Sequence, residues 1–202
     1  MPEVDTRVLM VGDEPSLVEG ELAAGGLVCP ACEGVLRRWG FARERPLVLA
    51  GGGIRVLRPR RAICGGCGAT HVLLADVCLV RRRDEVAVIG EAVRLAAGGM
   101  GYRRIARRLG VLEDRVRGWV RRLRVRAAVI RAHFLGWAVA LDPVLGRVEP
   151  AGGLVADAVE AVAVAVRAWQ QRFGAWPVWR VAARLSGGGL LANTKLLCAA
   201  AP

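Results

Sequence analysis

Between residues 84 and 123, apolar side chains fall at helical spacing in three successive runs. Val86, Val88, Ile89, Val93 and Leu95 to Ala97 are the apolar contacts of 84–97, and Asp84 and Glu85 at its head suit the positive end of a helix dipole. After the Gly98-Gly99-Met100-Gly101 break, Ile105, Ala106 and Leu109 share one face of a second helix. Gly110 follows, where a helix often ends in the left-handed conformation that glycine adopts cheaply. Val116, Trp119, Val120 and Leu123 then line a third helix. Ala106 is small where the helices would cross, Gly110 lies four residues later in the turn, and Val116 six beyond that. This ladder over 102–122 predicts a helix-turn-helix, with the third helix as the reader in a DNA groove. The competing reading is an ordinary helical hairpin with a solvated arginine face.

The pattern before this segment is different. Short apolar runs at 7–11, 35–39, 46–50, 54–63 and 71–80 read as strands, with a short helix over 16–24 capped by Ser16. After it, 127–141 reads as a helix continuing or closely following the third. Residues 154–173 form a nearly all-apolar helix whose narrow polar stripe is Asp157, Glu160, Arg167 and Gln171. A helix of that kind needs cover on most sides. Residues 175–185, with Trp176, Trp179 and Val181, supply part of the cover; the rest is either a small satellite core or a contact with a second copy or a partner. Residues 186–202 read as a loose tail. The fold class expected is α+β: a small β zinc ribbon, a three-helix DNA-binding unit and a C-terminal helical region, divided as 1–80, 81–126 and 127–202.

Cysteines give the strand-rich region its chemistry. Cys29-Pro-Ala-Cys32 and Cys64-Gly-Gly-Cys67 are two C-x-x-C knuckles 31 residues apart. Two intervening residues let both sulfurs face one point on a tight turn, and four thiolates complete the tetrahedral shell of structural Zn2+ at ~2.3 Å. Cys29, Cys32, Cys64 and Cys67 are therefore the expected ligands of one zinc per chain. A disulfide framework fits a cytosolic chain poorly. His71 reads as a strand histidine and Cys78 as a small buried hydrophobe; Cys198 has no evident partner.

Charge changes the picture in the helical segment. The net charge is +12, and residues 81–126 carry fourteen arginines against five acids, whereas residues 1–80 carry nine against nine. A localised positive field is the footprint of a polyanion such as double-stranded DNA. Arg115, Arg117, Arg121 and Arg122 lie off the buried face of the third helix and are expected to contact DNA, the first three at base edges. Arg103, Arg104, Arg107 and Arg108 on the preceding helix are placed for phosphates. Asp114 has two readings, a groove-facing residue or the N-cap of the reading helix.

No signal peptide is visible and no stretch reaches the ~18 uncharged apolar residues of a membrane span, so a cytoplasmic, nucleoid-associated protein is expected. Catalysis of DNA strand transfer needs three carboxylates holding metal ions on a mixed scaffold. Only Asp142, Glu149, Asp157 and Glu160 follow the helix-turn-helix, in no such pattern, so no enzymatic activity is expected.

Together these motifs resemble a zinc-ribbon plus helix-turn-helix family of high-GC bacteria, carried beside integrase-type transposases and similar to the N-terminal regions of insertion-sequence transposases. The residues that carry the resemblance include Cys29-Pro-Ala-Cys32, Trp39-Gly40, Arg58-Pro-Arg-Arg61, Cys64 to Cys67, Thr70 to Leu74, Arg81-Arg-Arg-Asp84, Gly101 to Ala106, Val116-Arg-Gly-Trp119, Leu141-Asp-Pro143 and the Gly-Gly-Leu-Leu191 run. It implies a mobile-element context, a regulator or accessory subunit, with an integrase-type transposase as partner; the apolar 154–173 helix adds a homodimer as a further option. Where the family usually has Thr before the valine of the reading helix, this chain has Arg115, which bears on base preference.

Overall fold

Proline 59 divides what the apolar pattern joins. The computed structural model, which describes residues 8–192, places β4 (Ile54–Leu57) and β5 (Arg60–Cys64) on either side of Arg58-Pro59 in place of one strand over 54–63. Proline has no N–H for a ladder. β4 turns back on β3 (Arg45–Val48) as a two-stranded hairpin, while β5 enters a four-stranded sheet. That sheet has the order β1 (Val8–Val11), β6 (Thr70–Ala75), β5, β2 (Leu36–Phe41), with β1 parallel to β6 and the other pairs antiparallel. β6 stops at Ala75, short of the expected 80, because its partner β1 ends at Val11 and the Asp76 N–H closes the ladder on the Val11 carbonyl at 2.9 Å.

Helix α1 (Pro15–Ala23) lies on one face of the sheet, where Val18 and Leu22 pack with Leu36, Ala62, Leu73, Cys29 and Cys64. Its cap is Glu14, whose carboxylate accepts from the Ser16 N–H, not Ser16 itself; Pro15, lacking an N–H, occupies the first helical turn at no cost.

The helical half is α2 (Val86–Ala97), α3 (Tyr102–Leu109), α4 (Glu113–Leu141), α5 (Leu154–Phe173) and α6 (Val178–Leu185). α4 runs unbroken for 29 residues, so the boundary expected at 126 falls inside it. Leu123, Ala127 and Ile130 are buried on successive turns, and a single apolar cluster joins α2 through α6. The N-terminal part of α4 packs on α2 and α3 and the rest lies along α5. Most of the apolar surface of α5 is covered within the chain: Ala158, Ala161, Val162, Ala165 and Ala168 are buried in the core shared with α4 and α6, while Leu154 and Phe173 at its ends are exposed. Small side chains permit that close approach.

The chain after α6 packs where a loose tail was expected. Leu190 and Leu191 are buried, the Val80 N–H donates to the Gly188 carbonyl at 2.9 Å, and Arg82 donates to the Leu191 carbonyl at 2.6 Å. The remainder of that tail, with Cys198, lies outside the described residues. α2 and α6 cross where α2 has no side chain: a Cβ on Gly90 would come within 2.0–2.3 Å of the Trp179 indole. Gly90→Ala should therefore lower stability by at least ~1–3 kcal/mol despite alanine's better helix propensity. Urea unfolding monitored by circular dichroism checks this, and a stabilised variant would refute it.

The two halves meet at a buried ion cluster. The Asp76 carboxylate, with no exposed side-chain surface, accepts from Arg180 Nε at 2.7 Å and Arg184 Nε at 2.6 Å. Arg180 also pairs with Asp13 at 2.6 Å, and the Trp176 ring lies against both guanidinium groups at 5.4 and 4.8 Å.

Candidate metal centre and candidate nucleic-acid interface

Two turns carry the cysteines, and the sheet brings the turns together. In the first, Cys29 N–H donates to Gly34 O at 2.9 Å and Glu33 N–H to Cys29 O at 2.8 Å. In the second, Gly68 N–H closes on Cys64 O at 3.1 Å and Cys64 N–H donates to Ala69 O at 2.8 Å. The Leu36–Cys64 register of β2 and β5, with a bond from Gly65 N–H to Val35 O at 3.0 Å, stacks one turn on the other. Gly34 is required at their contact: a Cβ there would stand 2.8 Å from Cys64 Sγ and 3.2 Å from Gly66 N.

The sulfurs of Cys29, Cys32, Cys64 and Cys67 all lie within 4.8 Å of one another, with Cys29–Cys67 at 3.8 Å and Cys32–Cys64 at 3.4 Å. Tetrahedral bonds of ~2.3 Å require sulfurs ~3.8 Å apart, so the donor set fits a soft, four-coordinate metal ion. Cys29 and Cys64 are buried and Cys32 and Cys67 exposed, which puts the site at the rim of the small core under α1. Protonation follows the same logic. The Cys67 and Gly66 N–H groups bring Cys64 down to about 6. At Cys32, an N–H from Gly34 favours the thiolate, but the Cys64 and Cys67 sulfurs outweigh it and push the thiol up to about 12. Four clustered sulfurs cannot all ionise without a cation among them. Among the described residues this is the one group of three or more Cys, His, Asp or Glu side chains close enough to hold a metal.

His71 adds a contact that spacing does not reveal. It is a strand residue, as read from the sequence, but its register opposite Ala62 brings Nε2 to 3.4 Å from Cys29 Sγ, with the ring 1% exposed. An imidazole in that place would orient the Cys29 sulfur toward a metal held by the four cysteines. Cys78 is a buried apolar residue among Leu47, Leu57, Leu74 and Val77, its thiol pushed up to about 11 by burial.

In the helical half, α3 ends at Gly110 in the left-handed conformation (φ 64°, ψ 30°), and Val111 N–H closes on Ala106 O at 3.0 Å. Ile105, Ala106, Val116, Trp119, Val120 and Leu123 form the buried seam. α4 starts at Glu113 with Leu112 in the cap position, so Asp114 is not a cap; it lies in the first turn, paired with Arg117 at 2.9 Å.

The eight expected DNA contacts separate into two groups. Arg103, Arg104, Arg107 and Arg108 of α3 and Arg117 and Arg121 of α4 are exposed, with Arg103 3.7 Å from Glu113. Arg122 is half-buried and donates to the Gly118 carbonyl one turn back at 3.1 Å. Arg115 is half-buried and pairs with Asp84 at 2.7 Å, a carboxylate 4% exposed at the approach to α2. That pair gives the carboxylate its counter-charge, without which burying it is costly. Two arginines outside the expected contacts join them: Arg126, which with Arg117, Arg121 and Arg122 lines a groove along α4, and Arg82, whose pKa is lowered by burial and by the neighbouring charges of Arg122 and Arg81.

The late carboxylates are occupied locally. Asp157 accepts from Ala151 N–H at 2.7 Å, Glu160 pairs with Arg167 at 2.9 Å, Glu149 with Arg147 at 3.4 Å, and Asp142 accepts from Val144 N–H at 3.3 Å. Among the described residues no helix is long and apolar enough to cross a membrane. Comparison of the chain with family models, curated proteins and solved structures gives no match.

Proposed function

We propose that this chain is a non-catalytic, sequence-specific double-stranded DNA-binding protein. In this reading α2, α3 and α4 form a helix-turn-helix unit, and the four-cysteine site is a structural zinc ribbon holding one Zn2+. The observation that carries it is the division of faces on α3 and α4. The seam Ile105, Ala106, Val116, Trp119 and Val120 is buried, while Arg103, Arg104, Arg107, Arg108, Arg117 and Arg121 stand exposed on either side of the Gly110 turn. Arg117 and Arg121 are assigned to base edges, where bidentate contact with guanine is worth ~1–3 kcal/mol per position. The α3 arginines, Arg122 and Arg126 are assigned to phosphates.

The resemblance to proteins carried beside integrase-type transposases supports a regulator or accessory role in a mobile element. A second reading, a scaffold whose ribbon and C-terminal helices bind a partner transposase, draws on the apolar 154–173 segment and the neutral N-terminal half; burial of most of that segment against α4 and α6 weakens the first of these grounds.

Binding to duplex DNA from the protein's own locus, followed by anisotropy across a salt series, tests the assignment. Affinity should fall steeply with salt, and Arg107→Ala should reduce the log–log slope by about one. Arg121→Ala should weaken the specific site by roughly tenfold while leaving random duplex almost unchanged. A flat salt response would sink the proposal. Arg115→Ala is expected to act on stability, lowering it by ~3 kcal/mol through the stranded Asp84, with little loss of affinity per folded molecule. Urea unfolding alongside the binding assay separates the two effects.

A further inference from the structure

The near-neutral balance of the N-terminal half conceals a basic surface. Residues 36–64, which span β2 to β5, hold eight arginines and one acid, Glu44; the other acids of that half lie outside these strands. Glu19 on α1 takes Arg38 and Arg60 at 2.9 Å each, and Asp13 takes Arg55 at 3.4 Å. Arg37, Arg43, Arg45, Arg58 and Arg61 have no carboxylate partner among the described residues.

The register sorts these side chains onto two faces. Leu36 opposite Cys64 and Arg38 opposite Ala62 lie on the face covered by α1. Side chains alternate along a strand, so Arg37 and Trp39 stand on the other face, beside Arg61 and Ile63 of β5. A bulge between Arg38 and Phe41, with Gly40 at φ 98°, returns Phe41 to the α1 face. There its ring packs against the guanidinium groups of Arg58 and Arg60 at 4.4 Å each. Trp39 is left alone: it is 55% exposed and makes no ring contact, hydrogen bond or ion pair among the described residues. Beside it Arg37 is exposed. Arg61 is half-buried, with one donor on Thr70 Oγ1 at 3.3 Å and a buried Nε that has no partner.

We propose that this open face of the sheet, centred on Trp39 and flanked by Arg37 and Arg61, binds single-stranded DNA, one unpaired base stacking on the indole while the guanidinium groups hold the adjoining phosphates. A flat, uncommitted π-face on an edge strand with surplus positive charge beside it matches a stacked base and its backbone. A protein partner of the same strand would want acid on its own side and apolar pockets on this one. The choice of DNA over RNA rests on the reading of α3 and α4 as a duplex-DNA contact; the stacking surface itself does not.

The test uses the full, metal-loaded chain, with anisotropy of a labelled short oligothymidylate, an oligouridylate of equal length and the locus duplex. Trp39→Ala should weaken oligothymidylate binding about tenfold and leave duplex binding within twofold. Trp39→Phe should recover most of the loss, and Arg37→Ala with Arg61→Ala should weaken the oligothymidylate and flatten its salt dependence. Arg121→Ala should do the converse, acting on duplex only, so failure of the helical assignment would leave the oligothymidylate result intact. Absence of oligothymidylate binding by the unaltered chain, an unchanged affinity in Trp39→Ala, or equal losses for duplex and single strand in a variant of normal metal content would overturn the proposal. Tighter binding of oligouridylate would overturn the assignment to DNA. Were Trp39→Ala to lose its metal, the comparison of Trp39→Phe with the double arginine variant decides.

Discussion

Replacing Cys64 with serine, or stripping the metal with a chelator, is expected to unfold the β half of the chain. Cys64 belongs at once to the four-sulfur cluster and to the small apolar core that it shares with Leu36, Ala62, Leu73, Val18 and Leu22. A core of that size cannot offset the entropy of ordering the strands around it; small β units of this kind need a metal or a disulfide in addition. Zn2+ binding at four thiolates contributes about 10–16 kcal/mol in small zinc domains at neutral pH, and that binding energy is folding energy. Metal analysis should find about one zinc per chain in the intact protein and none in Cys64→Ser. Loss of strand signal and of protection from proteolysis over residues 27–75 should accompany the loss of metal, while the much larger α2–α6 core keeps its helical signal. A chain that is metal-free and yet unfolds at the same denaturant concentration as the loaded one would refute the zinc assignment.

The second large effect is expected at Asp76. Its carboxylate is completely buried and carries two guanidinium groups from α6, so Asp76→Ala leaves Arg184 without its carboxylate and Arg180 with Asp13 alone. Breaking a buried pair from one side costs ~3–5 kcal/mol. That loss should appear in urea unfolding as a lower midpoint or as separation of one transition into two, since this cluster joins the sheet to α6. Asp13→Ala should cost less, because Asp13 is partly exposed and Arg180 keeps Asp76. A change below ~1 kcal/mol in Asp76→Ala would show that the cluster holds the halves together only weakly.

The arm through Asp13 also carries a pH dependence. Burial alone would raise its pKa, but the charge and hydrogen bond of Arg180 and the hydrogen bond of Arg55 outweigh it and hold the carboxyl below the ordinary 3.8. A carboxylate depressed in the folded state contributes stability above its unfolded pKa and loses it as pH falls through the folded one. Stability from this arm is therefore constant at neutral pH and declines only below about pH 4. Asp13→Asn should flatten that part of the acid limb.

The amino-acid sequence by itself determined the elements whose cause is local. The C-x-x-C turns, the Gly110 stop, the amphipathic runs of α2 and α3 and the apolar span of α5 all depend on residues within a few positions of one another, and each is at or near its expected place. Even the errors of this kind were local in origin, such as reading 54–63 through Pro59 or taking Ser16 instead of Glu14 as a cap. Contacts between distant residues were decided only by the tertiary structure. Asp84 is expected as a helix-dipole acid and Arg115 as a base reader; 31 positions apart, they meet at 2.7 Å in an ion pair that neither expectation contains. His71 reached Cys29 only through a strand register, and Trp39 came to stand alone only because a bulge sent Phe41 to the opposite face. The alternation of a strand shows that two faces exist, but not which one a helix will cover. Packing makes that choice: α1 covers Leu36 and Ala62, the β3–β4 hairpin covers Leu74 on the other face, and Arg37 and Trp39 on that face stay exposed to solvent.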